Sequence, residues 1–237
     1  METRKYVLFI VEGKNDQTEI QAMLRAYCAE NFKNKYADTY LPYHGDITFT
    51  ESEKTIVKKL NDLVLAWRRG EKPIRPFCPV LPSDVAKIVH VIDLDGTFIP
   101  EDCVVLGDVG NVEYTEDSIR YMDRDFIIGR NRKKARAIRK LLTIKAVDNV
   151  PYDVFFMSCN MDHVLFDTRN PMSKAKGFNA RTFASRCKKP EDLANSIFSE
   201  SVCSNDSLTE SWEFIQKDCN SLNRHTNFNL LLQELKA

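Results

Sequence analysis

The chain has 237 residues, with 34 basic and 34 acidic side chains, so its formal net charge is zero and its pI about 6.9. That balance excludes a protein that coats nucleic acid through its overall charge; any such contact must come from a local patch. Hydrophobic residues make up 43% and charged residues 29%, as expected of a soluble globular chain, and the length suits one large domain or one domain with an appendage.

Residues 6–11, Tyr6-Val7-Leu8-Phe9-Ile10-Val11, are predicted as a first buried strand. Glu12 to Asn15 read as a turn and Asp16 to about Glu30 as a helix, with Ile20, Met23, Leu24 and Tyr27 on one face. A polar region runs to His44-Gly45-Asp46. Thr50 or Ser52 is placed to cap a second helix, Glu53 to Arg69, striped by Ile56, Leu60, Leu63, Val64 and Trp67. Pro73, Pro76, Pro79 and Pro82 then break regular structure.

Residues 87–92 form a second strand, closed by Asp93-Leu94-Asp95-Gly96. The chain is then irregular and acidic through Asp125, where Gly107, Gly110 and Tyr114 suggest loops and a short strand. Gly129 to Lys145 reads as a basic helix, and Val154-Phe155-Phe156-Met157 as a third buried strand ending at Ser158. Residues 160–200 read as largely helical with polar loops, and two more helices, Ser207 to Asp218 and Asn227 to Lys236, close the chain. Strands alternating with helices predict an α/β fold with a central, mostly parallel sheet and a helical C-terminal region.

Met1 to Lys5 run straight into the first strand with no apolar leader, and no apolar stretch is long enough to span a bilayer, so a cytoplasmic protein with no membrane partner is expected. The seven cysteines are odd in number, scattered and without CxxC, which fits reduced thiols rather than a disulfide framework or a zinc site. Neither internal repeats nor low-complexity segments are visible.

Two acidic motifs carry the chemistry. Val11-Glu12-Gly13-Lys14-Asn15-Asp16 closes the first strand, and Asp93-Leu94-Asp95-Gly96 closes the second. In open parallel sheets the active crevice lies outside the carboxyl ends of the strands, so Glu12, Asp93 and Asp95 are expected together at one sheet edge. Carboxylates that close repel one another unless a cation neutralises them, and hard oxygen donors suit Mg²⁺ or Mn²⁺. Each acid also has an ordinary role: Asp16 as a helix cap, Asp95-Gly96 as a turn. The run Arg130-Asn131-Arg132-Lys133-Lys134-Ala135-Arg136-Ala137-Ile138-Arg139-Lys140 lies in a stretch, Gly129 to Lys145, with eight cations and no acid. It reads either as a phosphate-backbone contact or as a solvated helix face whose Ile138, Leu141 and Leu142 pack inward.

At Glu12-Gly13 and Asp93-Leu94-Asp95 the sequence resembles the Toprim domain of topoisomerases, bacterial primases and some nucleases. Glu12-Gly13-Lys14-Asn15-Asp16 is similar to the version found in nucleases of the overcoming-lysogenization-defect class, where the acid four residues beyond the glutamate joins the metal site; Asp16 holds that place. Ser158-Cys159-Asn160-Met161-Asp162-His163 resembles the late strand-end motif of those nucleases and of RloB-like proteins, with Asn160 and Asp162 departing from its usual Pro and Glu. Asn223 to Asn229 resembles the RloB-like C-terminus.

The resemblance implies a Toprim-like, Rossmannoid domain over 1–170 with an insertion near 31–86, since 81 positions separate Glu12 from Asp93, and a helical region over 171–237. It implies an Mg²⁺- or Mn²⁺-dependent nuclease acting on DNA or RNA, of a kind tied to phage defence. Glu12, Asp16, Asp93, Asp95 and Asp162 would bind metal, Lys14 would contact phosphate, and Arg130, Arg132, Lys133, Lys134, Arg136, Arg139 and Lys140 would hold the backbone. Glu12, Lys14, Asp93 and Asp95 would be the catalytic set, since two metals ~4 Å apart activate water and stabilise the leaving oxygen. No GxxxxGK[ST] is present, so an ATPase would be a separate partner.

Asp93-Leu94-Asp95-Gly96-Thr97 also resembles motif I of the haloacid dehalogenase phosphatases, with Asp93 as nucleophile, Asp95 as general acid, Ser158 as a second-motif hydroxyl, and Lys174 or Lys176 as the lysine. Against that reading, a strand with its own acidic motif comes first, and no later apolar strand ends in an acidic pair. A non-catalytic nucleic-acid-binding module is the third alternative.

Overall fold

Side-chain alternation along three strands decides the architecture of the computed structural model, which describes residues 5–40, 47–48, 53–69, 81–204 and 206–236, the side chains of 29–40, 53 and 68 excepted. The elements run β1 (Lys5–Ile10), α1 (Lys14–Lys35), β2 (Tyr36–Tyr40), α2 (Glu53–Arg68), β3 (Val85–Asp93), β4 (Val104–Leu106), β5 (Glu113–Tyr114), β6 (Ile119–Tyr121), α3 (Arg124–Leu142), β7 (Ala146–Val147), β8 (Val150–Ser158), α4 (Met161–Phe166), α5 (Ser173–Arg186), α6 (Leu208–Ile215), β9 (His225–Thr226) and α7 (Phe228–Lys236). Thr50, Ser52, the stretch ending at His44-Gly45-Asp46, and Pro73, Pro76 and Pro79 lie outside the described residues.

The main sheet has the order β2-β1-β3-β8-β7, with β9 also paired to β8. β2, β1, β3 and β8 are parallel, while β7 and β9 are antiparallel to β8. Because successive strand residues point to opposite faces, Val7, Phe9, Val89, Val91, Phe155 and Met157 pack with α1, α4 and α7. Leu8, Ile10, Ile88, Ile92, Val154 and Phe156 pack instead with α2, α3 and α6. Both faces are therefore covered, which is what the near-continuous apolar runs require.

The acidic stretch after Asp95 is more ordered than its sequence suggests. β4, β5 and β6 make a second, three-stranded sheet, held to the first by a small core that includes Ile99, Val104, Ile119, Ile127 and Leu222. The basic helix starts earlier than the charge run does, at Arg124, because Asp123 caps it: the Phe126 N–H donates to Asp123 Oδ1 at 2.9 Å. It ends at Leu142, before Thr143, whose hydroxyl donates to the Lys140 carbonyl.

The segment from Pro171 onward is built into the same body. α7 supplies Phe228, Leu231, Leu232 and Leu235 to the core on the α1 face. Asn227, fully buried, accepts from the Phe156 N–H at 2.9 Å and donates to Ser211 Oγ at 3.0 Å. Arg224 donates to the carbonyls of His163 and Val164, so the C-terminal segment braces the end of β8 and the start of α4. Among the described residues no helix is long and apolar enough to cross a membrane.

Candidate functional site

β1, β3 and β8 end side by side, and the three acidic segments leave the sheet at that common edge. The DxD turn is tied to β8: the Leu94 N–H donates to the Met157 carbonyl at 3.0 Å and the Asp95 N–H to the Cys159 carbonyl at 2.7 Å. Asp95 and Gly96 both have positive φ, 50° and 65°. A Cβ at Gly96 would stand 2.6 Å from Leu222 and 2.8 Å from Ile119, so this glycine serves a tight turn packed from behind. Thr97 Oγ1 closes the turn on the Leu94 carbonyl.

Glu12 bridges the two motifs, since its Oε1 accepts from the Asp93 N–H at 3.3 Å. Asp93 Oδ1 accepts from the Met161 N–H at 3.0 Å, which fixes α4 against the DxD turn. Asp16 lies in the first turn of α1, where Oδ2 accepts from the Gly13 N–H at 2.7 Å. It is therefore not the N-cap: it is the third residue of the helix and reaches back to the N–H of Gly13, which precedes the first turn, and its charge also bears on Asp93. Burial holds the Asp93 carboxyl well above the usual carboxylate range, with Asp16, Glu12 and Asp95 pushing it further against the pull of Lys134. Burial likewise raises Asp16, against the Gly13 N–H and Lys176.

Asp162, in the first turn of α4, is buried and its Oδ1 has no hydrogen-bond partner; its Oδ2 lies 3.8 Å from Lys176 Nζ. Burial raises this carboxyl too. Asn160 caps α4, its Oδ1 accepting from the His163 N–H at 3.0 Å. Ser158 is buried and donates to the Asn220 carbonyl at 3.3 Å. Lys14 is exposed at the start of α1, and Lys174 is exposed on α5.

The basic run divides by its helical faces. Lys134 turns inward: its Nζ lies 2.8 Å from Asp95 Oδ2 and 3.6 Å from Glu12 Oε1. Arg130, one turn earlier, donates to the Asp95 carbonyl at 2.8 Å and to the Tyr114 hydroxyl at 3.1 Å. Asn131 Nδ2 reaches the Gly96 carbonyl at 3.3 Å. Arg132 pairs with Glu101 at 2.6 Å, while Arg139 donates to Gln216 and lies over the Phe98 ring. Arg136 is exposed, and Lys133 and Lys140 are half-buried.

Two participants, Tyr114 and Glu19, escape the sequence reading, and a third, Lys134, takes a different place from the one expected. Tyr114 donates to Asp95 Oδ1 at 3.4 Å from the small sheet, and burial and the Asp95 charge keep its phenol protonated. Lys134, expected to hold a nucleic-acid backbone, is instead 1% exposed and paired with Asp95 and Glu12, because it falls on the buried stripe of α3 with Ile127, Asn131, Ile138 and Leu141. Glu19 is 2% exposed on α1, three residues beyond Asp16, and burial with the Asp162 and Asp16 charges pushes its carboxyl up to about 9.

Among the described residues no three His, Cys, Asp or Glu side chains stand close enough to form a ready-made cation cage. The charges of Asp16, Glu12 and Asp95 all bear on Asp93, and the Lys134 ammonium pairs with Glu12 and Asp95. No protein-family model matches the chain, and no curated protein or solved structure is detectably similar to it.

Proposed function

We propose that this chain is a Toprim-type nuclease that hydrolyses phosphodiester bonds of DNA or RNA with Mg²⁺ or Mn²⁺. The observation that carries the reading is Asp93: it sits at the meeting point of three strand ends, where burial and the charges of Asp16, Glu12 and Asp95 raise its carboxyl well above the usual range, a cost that a bound cation would offset. The donor chemistry fits a hard divalent ion, because every candidate ligand is a carboxylate oxygen. Asp162 Oδ1, buried without a partner, is a further oxygen open to such an ion.

When bound, the ion would lower the pKa of a coordinated water and take up charge on the phosphate. Glu12, Asp93 and Asp95 are its proposed ligands, with Asp16 and Asp162 on the α1–α4 side. Lys134 pairs with both Glu12 and Asp95 and so holds the two carboxylates beside one another. Tyr114 and Arg130 hold the Asp95 turn in place, and Arg130 adds positive charge beside a scissile phosphate. Lys14, exposed on the Glu12 turn, is suited to contact the phosphate directly. With no ATPase motif in the chain, a separate ATPase is a proposed partner.

A Mn²⁺ titration followed by electron paramagnetic resonance tests the metal half of this reading. Uptake by the wild type that disappears in Asp93→Asn supports it. Equal uptake by both, or none by the wild type, contradicts it.

A further inference from the structure

Helix α5 carries four cations, Lys174, Lys176, Arg181 and Arg186, and no acid. Two of them fall in its first turn or just after, where the helix dipole disfavours positive charge, so helix stability does not explain them. The helix lies against α1 at the carboxylate edge. Lys176 Nζ is 3.8 Å from Asp162 Oδ2. A Cβ at Gly177 would stand 3.5 Å from Arg181 Nη1 and 3.8 Å from Asn15 Oδ1, which places the Arg181 guanidinium beside the turn that holds Glu12 and Asp16.

The buried face of α5 is marked by Ala180 and Phe183. On the opposite face Lys174, Phe178 and Arg181 follow at helical spacing, and all three are exposed. Phe178 is 64% exposed, between a cation about 6 Å away along the axis and another about 4.5 Å away. A single exposed apolar residue is ordinary. An aromatic ring between two cations, at the lip of a carboxylate cluster, has the composition of a surface that holds unpaired nucleic acid: phosphates on the cations, a base on the ring.

We propose that the Lys174–Phe178–Arg181 face of α5 binds an unpaired nucleic-acid strand and delivers it to the Glu12–Asp93 edge. The choice of occupant rests on the nuclease reading above. α3, the helix that the charge run favours, is the weaker candidate, because Arg130, Arg132, Lys134 and Arg139 are engaged within the protein.

Fluorescence anisotropy of a labelled oligothymidine strand, in EDTA so that no cutting occurs, tests this. Phe178→Ala is expected to weaken binding about tenfold. The double substitution Lys174→Glu, Arg181→Glu should also flatten the salt dependence, by about 0.7 in log–log slope for each phosphate that the helix no longer neutralises. All three positions are exposed, so the variants should melt like the wild type. Arg136→Glu on α3 is the comparison. Weaker binding in the α5 variants alone supports the proposal. Weaker binding in Arg136→Glu, with the α5 variants binding normally, overturns it and leaves the nuclease reading standing. A wild type that takes up Mn²⁺ but binds no strand overturns it in favour of an acidic protein partner on α5, and a wild type that does neither removes the nuclease reading as well.

Discussion

The Lys134 ammonium lies 2.8 Å from Asp95 Oδ2 and 3.6 Å from Glu12 Oε1, and the side chain is only 1% exposed. A cation from α3 thus joins the carboxylates that end β1 and β3. Replacing one partner of a buried pair leaves the other uncompensated. Lys134→Met should therefore destabilise the metal-free protein by about 3 kcal/mol, the lower end of the usual range, because Glu12 and Asp95 keep 16% and 27% exposure. Mg²⁺ should restore more stability to this variant than to the wild type. Melting temperatures with EDTA and with Mg²⁺ read both effects; a variant as stable as the wild type in EDTA contradicts the pairing.

Gly96 has no room and the wrong backbone for any side chain, with φ at 65° and Leu222 and Ile119 against its Cα. Gly96→Ala should cost about 3 kcal/mol, from left-handed backbone strain together with overpacking. Urea denaturation measures it. A loss below about 1 kcal/mol would mean that the turn relaxes freely.

Glu19 gives a pH dependence with a definite sign. Its folded pKa of about 9 lies above the ordinary 4.5, so the protein stabilises the protonated form. That contribution is complete below pH 4.5 and is lost as pH rises through about 9. In EDTA the unfolding free energy of the wild type should fall between these values. Glu19→Gln should flatten that fall and be the more stable protein at the upper end. Parallel curves for the two proteins would show that Glu19 is not the group responsible.

Asn227 holds the end of β8 through the Phe156 N–H. Asn227→Ala should cost about 2 kcal/mol by leaving that buried donor unpaired. Because β8 leads into α4 and Asp162, it should also weaken Mn²⁺ uptake. Calorimetric titration reads the second effect; unchanged uptake would separate the C-terminal brace from the site.

The strands and the edge they share are legible because Val7–Val11, Ile88–Ile92 and Val154–Met157 are apolar runs, each closed by an acid or a polar turn. Glu12, Asp93 and Asp95 follow from strand ends alone. The small sheet is legible only as one short strand near Tyr114: β4, β5 and β6 are two or three residues long and owe their order to pairing with one another and to Leu222, far along the chain. The contact of Tyr114 with Asp95 is missed with that pairing. β9, two residues long, likewise owes its order to distant partners, β8 on one side and Val202 to Ser204 on the other. Lys134 and Glu19 look like surface charges in a one-dimensional reading. Each can be recovered only by asking which residue of a polar run falls on the buried stripe of its helix.

If the Glu12–Asp93–Asp95 edge cuts phosphodiester bonds with a divalent cation, the activity should be visible directly. The measurement incubates purified protein with supercoiled plasmid, single-stranded DNA and total tRNA in Mg²⁺, in Mn²⁺ and in EDTA, beside Glu12→Ala. Metal-dependent cutting of at least one substrate, abolished in EDTA and in the variant, is the expected result. Cutting that survives Glu12→Ala, or hydrolysis of p-nitrophenyl phosphate with all three nucleic acids left intact, would contradict it.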